Sequence, residues 1–163
     1  MELRAQVDQA FAPGGVLSRL LPDFIARSGQ IAMAQAIAET IDNGGTLVVE
    51  AGTGVGKTFS YLVPVLLSGE RALLSTATKT LQDQLSGRDL PQLVQALGLP
   101  LRTALLKGRG SYLCLHRMDL ARQSEALEDR TLVRTLAKIE QWSLPTRTGD
   151  LADEEWPRVT SAI

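Results

Sequence analysis

Gly52, Gly54 and Gly56 stand at alternate positions directly before Lys57 and Thr58, inside the run TLVVEAGTGVGKTFSYLVPVLL (46–67). Residues without a Cβ let successive main-chain N–H groups turn inward around an anion. A lysine at the end of such a loop reaches the β- and γ-phosphates as a point charge, and the hydroxyl beside it ligates Mg²⁺. The eight residues Ala51, Gly52, Thr53, Gly54, Val55, Gly56, Lys57 and Thr58 therefore read as a cradle for the phosphates of ATP, with Lys57 and Thr58 as the pair nearest the chemistry. The strict pattern GxxxxGK[ST] places a glycine where this chain has Ala51. A glycine-rich turn that binds nothing is the plain alternative, and the flanking elements decide against it.

Those elements are a strand before the loop and a helix after it. Thr46–Glu50 is apolar and β-branched, as a buried strand of a parallel sheet requires. The segment from Lys57 has helical length, with Pro64 as an expected kink, and its N-terminal partial positive charge favours a phosphate. Upstream, Gln30 to Ile41 places Ile31, Ala34, Ile37, Ala38 and Ile41 at helical spacing, and Asn43-Gly44-Gly45 supplies the stop. This helix is expected to lay one face on the sheet. Gln30, about twenty residues ahead of the loop, offers the donor and acceptor that the N6 and N7 edge of adenine demands; a solvated helix-start residue is the alternative.

Downstream, Arg71–Thr76 reads as a second strand and Leu101–Leu106 as a third, with a helix from about Gln92 to Leu97 that Gly98 ends. Three strand-helix alternations predict α/β architecture with a mostly parallel sheet. Ligands collect at the carboxyl ends of such strands, which puts the hydroxyls of Ser75, Thr76, Thr78 and Thr80 on the nucleotide edge, suited to phosphodiester oxygens. A helix merely capped by Thr78 fits the same letters. From Lys107 to Arg122 four basic residues, Lys107, Arg109, Arg117 and Arg122, face one acid, Asp119, with Tyr112 among them, a local patch able to follow a phosphate backbone.

Composition sets the frame. The 163 residues carry a net charge of −1 and are 44% hydrophobic, so a core is available and any polyanion site must be local. One cysteine excludes an internal disulfide and a complete all-cysteine metal site. No segment approaches the ~20 apolar residues of a membrane span, and the N-terminus lacks the form of a secretory signal, so the cytoplasm is expected. Residues 1–29, broken by Pro13-Gly14-Gly15 and Pro22, read as a lead-in with a short helix near Val16–Leu21. From Asp119 to Trp142 the pattern is helical, with Leu120, Leu127, Leu132, Leu136, Ile139 and Trp142 in one stripe.

Three blocks taken together, RSGQIAM, EAGTGVGKTFSYLVPVLL with STATKTLQDQL, and LKGRGSYLCLHR, resemble the DinG/YoaA-like branch of the XPD-related iron-sulfur DNA helicases of superfamily two. Many superfamily-two helicases tolerate alanine at the position of Ala51. The resemblance implies a partial RecA-like motor domain over 30–110 and the beginning of an iron-sulfur insert over 111–163. It implies ATP-driven unwinding of single-stranded or forked DNA with 5′-to-3′ polarity, in repair or replication, with a clamp-loader subunit as a partner. Gln30 matches the adenine-reading glutamine, Ala51–Thr58 the first ATPase motif, and Ser75–Leu85, Gln82 included, the motif that holds one DNA strand. Cys114 matches the first of four cysteines that hold a [4Fe-4S] cluster.

The family's second ATPase motif does not occur: Asp153-Glu154-Glu155 has the letters but follows no buried strand, and WPRVTSAI resembles the run that precedes the other three cysteines. The chain therefore reads as the beginning of a helicase, stopping inside the insert and with little activity alone. A small-molecule kinase and a non-catalytic nucleotide-binding module are the rival readings.

Overall fold

The computed structural model describes residues 2–123, 130–152 and 156–157. Among them the chain forms two compact units, 1–105 and 106–163. In the first unit the helices are α1 (Leu3–Phe11), α2 (Val16–Leu20), α3 (Ser28–Asn43), α4 (Lys57–Ser68), α5 (Lys79–Gln84) and α6 (Leu90–Leu97).

The core of this unit forms where α1 packs on both α3 and α4. Ala34 and Ala38 are fully buried on α3, and side chains this small let a neighbouring helix approach closely, while Leu62 and Val63 fill the same core from α4. Each fully buried leucine contributes on the order of 2 kcal/mol. α4 runs through Pro64, which is itself fully buried. The first residues do more than lead in: Leu3, Val7, Ala10 and Phe11 fall at helical spacing and are all buried.

α1 turns into α2 at Gly15. A Cβ there would lie 2.4 Å from the Gln9 carbonyl, 2.7 Å from that of Ala10 and 2.8 Å from that of Ala12. These are backbone atoms that a side chain cannot push aside cheaply. Gly15→Ala is expected to cost about 1–3 kcal/mol, measured as a lower thermal midpoint in the full-length protein.

The expected parallel sheet is not formed. Among the described residues no strand is assigned, and the segments 46–50, 71–76 and 101–106 carry no regular structure. The only isolated bridge there joins Tyr112 to Asp150 in antiparallel sense. Val48 is 91% exposed and Leu73 94%, while Leu74 and Leu101 are partly buried against the core and Leu47 and Val49 line a cleft with Met33, Ile37 and Ile41 of α3. A β-branched run expresses a fit to a pleated, half-buried surface, and becomes a strand only where a neighbour completes the backbone ladder. With no strand paired to any of the three segments among the described residues, α3 packs on α4 and α1 and not on a sheet.

The helix expected from about Gln92 has no separate start. α5 passes through a π turn, Leu85–Asp89, straight into α6. Pro91 lacks an N–H and its ring would clash with the carbonyl four residues back in a regular helix, and the wider turn just ahead of it accommodates both. Gly98, at φ 64°, then ends α6 as expected.

In the second unit, α7 (Leu115–Arg122) and α8 (Arg130–Ser143) pack together. The single helix expected from Asp119 to Trp142 is thus two helices, and Leu127 of its stripe lies outside the described residues. Ile139 and Trp142 are buried, and Trp142 meets Trp156 edge-on with ring centres 4.8 Å apart. Asp153–Glu155 and the end of the WPRVTSAI run, 158–163, also lie outside the described residues.

Candidate nucleotide-binding loop and its surroundings

Residues 51–56 form a loop that ends at the first turn of α4. Gly54 and Gly56 take φ values of 77° and 87°, conformations that side chains with a Cβ rarely adopt. A Cβ on Gly52 or Gly54 would meet nothing within 4 Å, so the loop is open on that side. α4 begins at Lys57 with no side chain capping its N-terminus. The first N–H groups of a helix have no intrahelical acceptor, and here they remain available to an anion, reinforced by the helix dipole.

The Lys57 ammonium closes over the loop, donating to the Ala51 carbonyl at 2.8 Å and the Gly52 carbonyl at 2.7 Å. A lysine held across the loop's own carbonyls sits at the mouth of the cradle. A phosphate offers the same ammonium fully charged oxygens, which are stronger partners than neutral carbonyls.

Gln30 lies beside the loop and is only 3% exposed. Its carboxamide nitrogen donates to the Gly56 carbonyl at 3.0 Å. One of its two N–H donors is therefore engaged by the loop, which leaves the other N–H and the carboxamide oxygen for the N7 and N6 edge of adenine. The approach is close: a Cβ on Gly56 would stand 2.4 Å from the Gln30 nitrogen. A cleft of about 390 Å³ opens at this point, lined by Phe24, Arg27, Gln30, Val55, Gly56 and Phe59 among others. Aromatic and aliphatic walls with a few polar groups are the composition of a small-molecule site.

Two contributors had no role assigned from sequence. Phe24 furnishes one aromatic wall. The Arg27 guanidinium donates to the Gly54 carbonyl, tying the entry of α3 to the tip of the loop. The signal for Arg27 was its place three residues before Gln30, in the same polar entry to the helix.

The hydroxyl-rich segment after the loop helix is organised as a cap. The Thr78 hydroxyl accepts from the Leu81 N–H at 3.3 Å, as the N-cap of α5, and the Thr76 hydroxyl donates to the Thr78 carbonyl at 3.4 Å. The capped-helix alternative is thus realised in the geometry. Ser75 and Thr80 are exposed, and Gln82 is half-buried.

In the second unit, Lys107 is turned away from solvent. Its ammonium pairs with Asp150 at 2.8 Å, the side chains being 8% and 19% exposed. The Lys107 amide donates to the Tyr112 phenol oxygen at 2.8 Å, and two backbone bonds, Leu113 N–H to Gly149 and Leu151 N–H to Ser111, fix the same corner. Arg109 is exposed in a 3₁₀ turn, Arg109–Ser111. Arg122 of the basic patch pairs with Glu140 and Asp119. Cys114 is exposed immediately before α7, and no group of three or more metal-ligating side chains occurs among the described residues. A [4Fe-4S] cluster requires four ligands, and Cys114, the one cysteine of the 163 residues, could supply one of them.

Comparison with known proteins decides the family. Residues 31–136 match the DEAD/DEAH box helicase family. The chain belongs to that family. Its domain implies a RecA-like fold, of which the loop and α4 are present here without the sheet. Among relatives, the chain is 42% identical over 153 residues to the ATP-dependent DNA helicase YoaA of Haemophilus influenzae, covering 94% of this chain and 24% of that protein. It is 40% identical over 159 residues to the ATP-dependent DNA helicase YoaA of Escherichia coli K12, at 93% and 25% coverage. It is 40% identical over 162 residues to the ATP-dependent helicase DinG of Mycobacterium tuberculosis H37Rv, at 82% and 24%. The chain spans about a quarter of the length of these relatives.

Proposed function

We propose that this chain is the nucleotide-binding part of an ATP-dependent DNA helicase of the DinG/YoaA type, and that residues 51–58 hold the triphosphate of ATP. The observation that carries this reading is the open loop of Ala51–Gly56 running into an uncapped α4, with the Lys57 ammonium poised across its mouth.

Adenine enters the cleft beside Phe24 and Phe59 and presents its exocyclic amine to the Gln30 carboxamide oxygen. The amides of Gly52, Thr53, Gly54, Val55 and Gly56, with the first N–H groups of α4, surround the β-phosphate. Lys57 exchanges the carbonyls of Ala51 and Gly52 for the β- and γ-phosphate oxygens. The Thr58 hydroxyl would hold Mg²⁺, which when bound would supply positive charge to the phosphates. Activation of the attacking water is assigned to a carboxylate from the second ATPase motif, which the 163 residues do not contain. The unpaired apolar runs 46–50, 71–76 and 101–106 are the strands of the parallel sheet once their strand partners are in place.

The strand track of the first unit is Ser75, Thr76, Thr78, Thr80 and Gln82, of which the exposed Ser75 and Thr80 are the readiest members because Thr76 and Thr78 are engaged in capping. In the second unit, taken by itself, Lys107 and Arg109 are proposed DNA contacts, Arg109 the readier because Lys107 is held in an ion pair. They contact phosphate and sugar, so binding carries no sequence preference. Division into a motor part over 30–110 and an insert from 111, a [4Fe-4S] cluster with Cys114 as one of its ligands, 5′-to-3′ stepping on single-stranded or forked DNA, a clamp-loader partner, action in DNA repair, and a cytoplasmic site of action complete the reading. The cluster takes no part in phosphate binding or hydrolysis. No helix among the described residues is long and apolar enough to cross a membrane.

The test is ATP hydrolysis by the full-length protein with and without single-stranded DNA. Hydrolysis that rises at least several-fold with DNA and needs no small-molecule acceptor is expected. Hydrolysis indifferent to DNA, or phosphoryl transfer to a small acceptor, contradicts the proposal.

A further inference from the structure

Arg130, Arg134 and Lys138 recur at every fourth position of α8, and all three are exposed. A helix rises about 6 Å and drifts by about 40° in a four-residue step, so the three cations form one nearly straight row along it. The opposite side of α8 carries Leu132 and Leu136, half-buried, and Ile139, buried. The packing of the helix thus fixes the row on its outward face.

Nothing on that face offsets the charge. Ala137 and Gln141, exposed on the same side, are neutral. The acid of α8, Glu140, lies off the row and is taken by Arg122 of α7. Among the described residues none of the three cations is in an ion pair. Like charges four positions apart destabilise a helix by about 0.2–0.5 kcal/mol per pair, and α8 keeps Arg130 beside Arg134 and Arg134 beside Lys138. A glutamate at position 134 would have turned both repulsions into attractions. The row therefore works against helix stability, in a chain whose net charge of −1 shows no general excess of basic residues.

A row of cations with a regular repeat matches a ligand whose negative charges also repeat along a line. The sugar-phosphate backbone of one nucleic-acid strand has that form. A free phosphate needs no row, and an acidic protein spreads its carboxylates over a surface. We infer that the outward face of α8 is a docking surface for single-stranded DNA, with Arg130, Arg134 and Lys138 each meeting a backbone phosphate. The inference rests on the DNA-helicase reading above and adds a contact surface to it. Long cationic side chains reach phosphates without touching base edges, so this face carries no sequence preference.

The experiment uses the full-length protein and follows the Kd of an oligothymidine strand across about 50–200 mM salt, where each cation seated on a single-strand phosphate contributes about 0.7 to the slope of log K against log salt. Arg130→Gln, Arg134→Gln and Lys138→Gln together are expected to make the slope shallower by about 2 and to weaken binding by about 10–100-fold near 0.1 M salt, the gap narrowing as salt rises. Arg134→Gln alone is expected to remove about 0.7. Arg130→Lys with Arg134→Lys is expected to retain the slope, since a point charge suffices for a phosphate. The thermal midpoint of the triple variant is expected not to fall, because two repulsions are relieved, whereas a merely structural role would lower it. An equal loss of charge elsewhere is the control: Arg19→Gln, Arg71→Gln and Arg102→Gln, at exposed positions of the first unit, are expected together to change the slope by less than about 0.7. An unchanged slope in the α8 variant, the same change in the control, or a loss seen only with a blunt duplex overturns the inference. Failure of the unaltered protein to bind oligothymidine overturns the DNA-helicase reading instead.

Discussion

Lys57→Ala in the full-length protein is expected to lower kcat/KM for ATP by about 10²–10³-fold, the loss typical of deleting one preorganised group from a transition state that gathers charge. The ammonium lies across the mouth of the loop, at 2.7–2.8 Å from two of its carbonyls, while the Arg27 guanidinium is tied to the Gly54 carbonyl at the tip. Those carbonyls gain nothing comparable when the lysine is lost, whereas transferring phosphate oxygens lose a charge-assisted partner. The same substitution is expected to leave stability nearly unchanged, because the side chain is exposed in the free protein. Steady-state hydrolysis with a parallel thermal melt checks both parts. Retained hydrolysis would remove Lys57 from the site.

The second large effect is expected at Gly56, where two separate penalties fall on one methyl group. At φ 87° a residue with a Cβ costs roughly 1–2 kcal/mol. The added Cβ would also stand 2.4 Å from the Gln30 carboxamide nitrogen, the partner of the Gly56 carbonyl. Gly56→Ala must therefore distort the loop, displace Gln30, or both, and either outcome opens the cradle and the adenine cleft together. A loss of nucleotide affinity of at least about tenfold is expected, tenfold being the equivalent of 1.4 kcal/mol. Pairing it with Gln30→Ala separates the penalties. The double variant is expected to recover part of the loss through relief of the clash, and the backbone penalty keeps it from recovering all. Equilibrium titration of a fluorescent ATP analogue reads these differences.

The parts of this molecule that were legible in its sequence are those encoded locally. A glycine-rich loop, an adjacent lysine and a helix of apolar period need only their own letters, and α3, α4 and the stop at Gly98 appear where expected. The N-cap reading of Thr78 was legible beside its reading as a strand contact, and the geometry shows the cap. The sheet was not a local property: Val48 and Leu73 have the chemistry of strand residues, yet a strand exists only beside another.

Other misses share that non-local cause. Lys107 looked free because Asp150, its partner, lies 43 positions later. The hold on one Gln30 N–H was hidden because the Gly56 carbonyl that accepts from it is 26 positions away. α1 was different, since Leu3, Val7, Ala10 and Phe11 follow a helical period that Pro13-Gly14-Gly15 nearby overshadowed. The continuous helix through Asp89 was hidden by Gly87 and Pro91, residues that break regular helices but are tolerated around a π turn.

The measurement closest to the central claim is competition for a bound fluorescent ATP analogue on the full-length protein in the presence of Mg²⁺. If residues 51–58 grip the phosphate tail, ATP and ADP displace the analogue and inorganic pyrophosphate does so weakly, while AMP and adenosine leave it in place. Displacement by AMP or adenosine as effective as that by ADP would show that the base alone is held, and would contradict the account.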